Sequence, residues 1–154
     1  MAGKIEQRLT QLGIVLPTAP APAANYVPTV LSGKLLFCAG QISALAGGKS
    51  IKGKLGAEVS LEQGQEAARI CAINLLAQVK AALGDLDRVA RCVRLGGFIN
   101  ARPDFAQLAA VMNGASDLVV EVLGDSGRHA RTTIGVAELP FDAAVEVDAI
   151  FEVV

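Results

Sequence analysis

The C-terminal stretch AAVEVDAIFEVV puts Val145, Val147, Ala149, Phe151 and Val153 on one face of an extended strand. Glu146, Asp148, Ile150 and Glu152 fall on the other, because successive strand side chains point to opposite sides. One face suits a core and the other carries three carboxylates, so the strand belongs to a sheet with helices on one side. The covering layer is written in EVSLEQGQEAARICAINLLAQVKAALGDL. Ser60 and Gln63 form a capping box at its start. Ala68, Cys71, Leu75, Val79 and Leu83 make one apolar stripe, and Gly84 ends the helix.

The remaining segments fit around these two. KIEQRLTQLG has Ile5, Leu9 and Leu12 at helical spacing, with Gly13 as the stop. PTAPAPAANY is an extended, rigid connector without Gly or Ser. YVPTVLSGKLLFCAGQIS reads as a hairpin about Ser32-Gly33, with Pro28 marking an edge strand. The glycines of ALAGGKSIKGKLG are turn residues, since the spacing of a phosphate loop is missing. LDRVARCVRLGGFIN is the third strand. DFAQLAAVMNGASDLVVEVLGDSG is a second long helix, with Asn113-Gly114 near its start or interrupting it. RTTIGVAEL is a fourth strand, joined to the last by PFDA. The expected fold is α+β, with two long helices on one face of a mixed β-sheet. The βαβ unit between hairpin and third strand makes part of that sheet parallel.

Composition narrows the function classes. The chain is 52% hydrophobic but only 4% aromatic and lacks Trp, so Ala, Val, Leu and Ile build the core. Net charge is −1 and the cations are scattered, which leaves no electrostatic footprint for nucleic acid. No apolar window has the length of a membrane span, and the N-terminus lacks a secretory signal, so a cytoplasmic location is expected. Cys38, Cys71 and Cys92 lie in apolar contexts at wide spacing and read as core thiols. With one histidine, no clustered acidic ligands and no cofactor fingerprint, neither a metal site nor a cofactor is expected.

The cationic cluster RHARTTIGVAELP holds the candidate chemistry. Arg131 opens a strand and shares a face with Thr133. If LPFDA turns the chain, the strand of Glu146 can lie beside that of Arg131. A guanidinium with nearby backbone N–H groups can grip a small carboxylate by two hydrogen bonds. A glutamate across a cleft can orient a water or move a proton. An ordinary cross-strand ion pair between Arg131 and Glu146 fits the spacing as well. His129 is either a base or a partly exposed loop residue, and Arg128 is a solvated charge. Asn113 is either a ligand-facing amide or a turn residue beside Gly114. Tyr26, the only tyrosine, suits packing with a wet hydroxyl.

Four segments together resemble the Rid family, also called YjgF-like, of imine and enamine deaminases. They are NYVPTVLSGKLLFCAGQIS, GQEAARICAINLLAQVKAALGDLDRV, ARPDFAQLAAVMNGASD and HARTTIGVAELPFDAAVEVDAI. The last is the most specific, with an Arg opening a strand, then VAELP, then VEVDAI. The resemblance implies a chorismate-mutase-like fold over one domain, residues 1–154, assembled as a homotrimer with sites in the clefts between subunits. It implies hydrolysis of reactive species such as 2-aminoacrylate to 2-keto acids and ammonia, without a cofactor. By the same resemblance Arg131 binds the substrate carboxylate, and Thr133, where the family carries Cys, supplies a backbone contact. Glu146 positions water, and Tyr26, Asn113 and Gly40 line the pocket. A non-catalytic trimer binding small carboxylates is the alternative, and an endoribonuclease, as attributed to some relatives, is a third. The chain departs from the family in an extra N-terminal helix within residues 1–16. A longer segment, NGASDLVVEVLGDSGRHAR, also precedes Arg131.

Overall fold

The computed structural model of the protein describes residues 2–154. In chain order the elements are α1 (Lys4–Gln11), β1 (Thr29–Ser32), β2 (Leu35–Ile42), α2 (Leu61–Leu83), β3 (Val89–Asn100), α3 (Leu108–Leu123), β4 (Ala130–Val136) and β5 (Val145–Val153). The strands form a single five-stranded sheet in the order β1-β2-β5-β3-β4. Only β3 and β4 pair in parallel; the other three pairs are antiparallel. The helix α2 connects β2 to β3, as expected of a βαβ unit. The two strands run the same way, but β5 is inserted between them. The directly paired parallel strands are therefore those joined by α3.

The ends of α2 follow from the residues placed there. Ser60 Oγ accepts from the Gln63 N–H at 3.2 Å, and Gln63 Oε1 accepts from the Ser60 N–H at 2.8 Å. Gly84 stops the helix at φ 77°, a conformation costly for any residue with a Cβ. The alternation of β5 holds along its whole length. Val145, Val147, Ala149, Phe151 and Val153 are buried, and the residues between them are half-exposed. Beneath α2 and α3 those side chains meet Leu36, Leu95, Ile70, Leu75, Met112 and Val119 in one core. Each such side chain contributes roughly 1.5–3 kcal/mol by leaving water. The three cysteines lie in this core. Burial pushes Cys38 and Cys92 up to about 12 and raises Cys71 as well, so all three are held as neutral thiols.

Asn113-Gly114 neither starts nor interrupts α3. Both lie inside a continuous helix, where a Cβ on Gly114 would overlap the backbone carbonyl of Gln65 on α2. The glycine permits two helices to cross closely. On α2 a Cβ at Gly64 would come within 2.6 Å of Leu55 and 3.2 Å of Val111.

At the end of β3, Asn100 is fully buried and ties three loops together. Its Nδ2 lies 3.2–3.3 Å from the carbonyls of Gly53 and Ala143 and the carboxylates of Glu138 and Asp142. The Lys54 ammonium donates to Asn100 Oδ1 at 2.6 Å and to the Ala137 carbonyl. This knot holds the 140–142 turn, where Phe141 and Asp142 have φ of 59° and 56°. The N-terminal helix docks by its backbone: the N–H groups of Lys4 and Ile5 each donate to the Asp87 carboxylate at 2.9 Å. Those donors hold Asp87 below its ordinary value.

Candidate active site

Register places Arg131 opposite Leu95, which pairs with Ala149. Arg131 is thus on the helix-covered face of the sheet. Glu146 pairs with Phe98 and Ile42, on the open face. The strands β4 and β5 are not neighbours, because β3 lies between them. The expectation that Arg131 and Glu146 face each other across adjacent strands, as a site or as an ion pair, does not hold within one chain. The turn LPFDA carries the chain past β3 instead of folding β4 onto β5.

Arg131 reaches up to α3. Its Nη1 donates to Ser116 Oγ at 3.0 Å and its Nη2 to the Ala109 carbonyl at 3.1 Å. Asn113 is exposed and lies between those two anchors on one face of α3, since residues four and seven apart share a side of a helix. His129 is part-buried, with Nε2 2.9 Å from Ser116 Oγ and Nδ1 2.6 Å from the Gly127 carbonyl. Ser116, His129 and Arg131 open on a cleft of about 340 Å3 that Arg128 and Asp117 also line. Among the described residues no carboxylate lies within ion-pair distance of Arg131. Thr133 follows Arg131 on the same face opposite Gly97, its hydroxyl buried without a hydrogen-bond partner among the described residues.

The remaining candidates gather elsewhere. Tyr26, Gly40 and Phe141 line a second cleft of about 260 Å3 with Asn74 at its wall. Glu146 sits against Gly40, where a Cβ would come within 2.5 Å of Glu146 Oε2. Gly40 lies in the irregular stretch of β2 between Cys38 and Gln41, so the close approach and the missing side chain belong together. Burial, and secondly the nearby Asp148, raise the Glu146 carboxyl above its ordinary range. Asn74 is buried and donates to the carbonyls of Ile42 and Ala44, while its Oδ1 has no partner among the described residues.

The named residues thus divide into two sets. Arg131 and Thr133 lie on the helix-covered face of the sheet with Asn113, Ser116 and His129 above or beside them; Glu146 lies on the open face against Gly40, which lines the second cleft with Tyr26. Ser116 escaped the sequence reading, because no motif marks a lone serine within a helix. His129 was visible but not its partner.

A family model described as YjgF/chorismate-mutase-like, with a provisional endoribonuclease label, matches residues 6–152. Protein TCP17 of Trypanosoma cruzi is 51% identical over 98% of this chain and 95% of its own length. Among solved structures, Atu1372 of Agrobacterium tumefaciens, of unknown function, superposes with a TM-score of 0.91 at 48% identity, covering 97% of this chain and 92% of its own. TdcF of E. coli, crystallised with bound serine, superposes with a TM-score of 0.65 at 26% identity, covering 88% of this chain and 93% of its own. The chain belongs to the YjgF/chorismate-mutase-like family, and its mixed five-stranded sheet with helices is that family's α+β fold.

Proposed function

We propose that the protein hydrolyses small, carboxylate-bearing enamines and imines such as 2-aminoacrylate to 2-keto acids and ammonia, at sites formed between subunits of a homotrimer. The observation that carries this reading is the split of the site. A guanidinium without a carboxylate partner among the described residues lines one cleft, and a glutamate whose carboxyl is raised by burial lies against Gly40, which lines another. Each half lacks what the other has. A partner copy can supply the missing half across the open face of the sheet, where Val30, Phe37 and Ile134 are 41–52% exposed. Exposed apolar groups on one sheet face favour association.

In this reading Arg131 holds the substrate carboxylate through its remaining N–H groups, with a backbone contact at Thr133. Glu146 of a neighbouring subunit orients a water, which adds to the imine carbon and passes a proton toward nitrogen. The tetrahedral carbinolamine then releases ammonia and leaves the keto acid. Because the imine is itself electrophilic, positioning and one acid/base group suffice. A carboxyl shifted upward by burial can both take and return a proton nearer neutral pH than an ordinary one. Binding of serine by TdcF, a relative that takes a small amino acid, supports a carboxylate ligand.

The test is an ammonia-release assay on freshly generated 2-aminoacrylate with wild type and Arg131→Ala in parallel. A loss of about a hundredfold or more in kcat/KM is expected for a charge-assisted anchor. Arg131→Lys keeps the charge but not the planar fork, and it also loses most activity. Hydrolysis by Arg131→Ala at the wild-type rate overturns the reading. Binding of a 2-keto acid without any turnover favours a non-catalytic carboxylate-binding trimer. An endoribonuclease would instead bind RNA with steep salt dependence.

A further inference from the structure

The hydrogen positions between Arg131 and Gly127 follow from chemistry. A backbone carbonyl only accepts, so the 2.6 Å contact of His129 Nδ1 with the Gly127 carbonyl places a proton on Nδ1. In the neutral ring Nε2 is then the acceptor, and at 2.9 Å it takes the Ser116 hydroxyl hydrogen. The Ser116 oxygen is left to accept from Arg131 Nη1 at 3.0 Å. A directed relay results: Arg131 to Ser116, Ser116 to His129, His129 to Gly127. Ser116, His129 and Arg131 all line the same open cleft.

Protonating His129 reverses one link. Both ring nitrogens then donate, and the Ser116 oxygen accepts from His129 as well as from Arg131, within its two lone pairs. The hydroxyl hydrogen is freed and can turn into the cleft. Charge changes in the same direction, because a second cation now stands beside the guanidinium. The other charged groups around the ring are few. Arg131 faces it from β4 and Asp117 lines the cleft from α3. Arg128 precedes it and pairs with Asp125 at 3.3 Å, and Arg91 of β3 reaches the Arg128 carbonyl at 3.4 Å.

We infer that Ser116 is a carboxylate-binding residue and His129 its positioning residue, so that small carboxylates bind more tightly as His129 takes up a proton. This rests on the reading of Arg131 as the carboxylate anchor and adds two residues to it. Ser116 is marked by no motif, and both residues lie in the longer segment that leads into β4.

The experiment measures the affinity of 2-oxobutanoate, ionised throughout, by titration calorimetry at a series of values between about pH 8 and pH 5.5. Wild type should bind more tightly at the acid end, by about tenfold, the worth of one added charge-assisted hydrogen bond. Ser116→Ala and His129→Gln should each flatten that dependence while melting as cooperatively as wild type. Ser116→Thr, which keeps the hydroxyl, should restore it. Arg131→Ala separates the levels of the argument. If it binds like wild type, or if wild type does not bind, the anchor reading falls and this inference with it. If Arg131→Ala abolishes binding while Ser116→Ala and His129→Gln keep the wild-type affinity and pH slope, only the role of Ser116 and His129 is overturned.

Discussion

Glu146 bears a consequence that thermal melts can read. Its carboxyl is raised chiefly by burial, so the folded protein holds a proton there that the unfolded chain has already released. Stability therefore falls as pH rises from the ordinary glutamate range through the raised value, and the cost is fully present above it. Glu146→Gln removes that cost. Its Tm should exceed that of wild type near neutral pH, and the difference should vanish below about pH 4, where both side chains are uncharged. A Tm gain that persists in acid would mean packing, not charge, is at issue. Arg131 and Glu146 stand out in the sequence through the family resemblance carried by VAELP and VEVDAI, since spacing alone fits an ordinary ion pair as well. Their placement on opposite faces was not legible there, since that depends on the register of β4 and β5 against β3, which lies between them. Ser116 was illegible because its partners come from β4 and the loop before it, thirteen and fifteen residues away.

Helix limits were readable wherever a side chain or a glycine acts locally, as at Ser60, Gln63 and Gly84. Gly114 misled for the opposite reason. An Asn-Gly pair signals a turn on local grounds, yet its demand is set by Gln65 on another helix. Gly114→Ala tests which influence dominates. Propensity alone would stabilise α3 by about 1 kcal/mol, but the new methyl group overlaps a backbone carbonyl, and overpacking costs about 1–3 kcal/mol. Net destabilisation in urea melts is the expected outcome, whereas a stabilised variant would show that the helices separate freely. The attachment of α1 was also beyond sequence reading. A helix N-terminus normally finds its cap just before itself, and here the carboxylate comes from Asp87 near β3.

For the whole molecule, the one-sided sheet was predictable from the alternation in β5, and the proposed assembly uses its open face. Phe37→Glu puts a charge in the middle of its exposed apolar residues. If the proposed trimer forms through this face, sedimentation should show wild type as a trimer and the variant as a monomer, with the proposed hydrolysis lost as the two half-sites part. A variant that remains trimeric would place the interface elsewhere. The proposed trimer is not readable from composition, since ordinary surfaces are also largely apolar.

The insertion of β5 between β2 and β3 also governs when the protein can fold during synthesis. The middle strand is the last of the five to leave the ribosome. Until residues 145–153 emerge, the β1–β2 hairpin and the β3–β4 pair share no strand, and the apolar underside of α2 has only half a floor. Such non-local closure is slow and leaves hydrophobic surface open meanwhile. Chains stalled with residue 144 at the exit should be cut by protease as readily as an unfolded chain. Chains extended past residue 154 by a tunnel-length linker should resist. Without its middle strand the nascent sheet remains two separate fragments, joined only when the last residues of the chain are added.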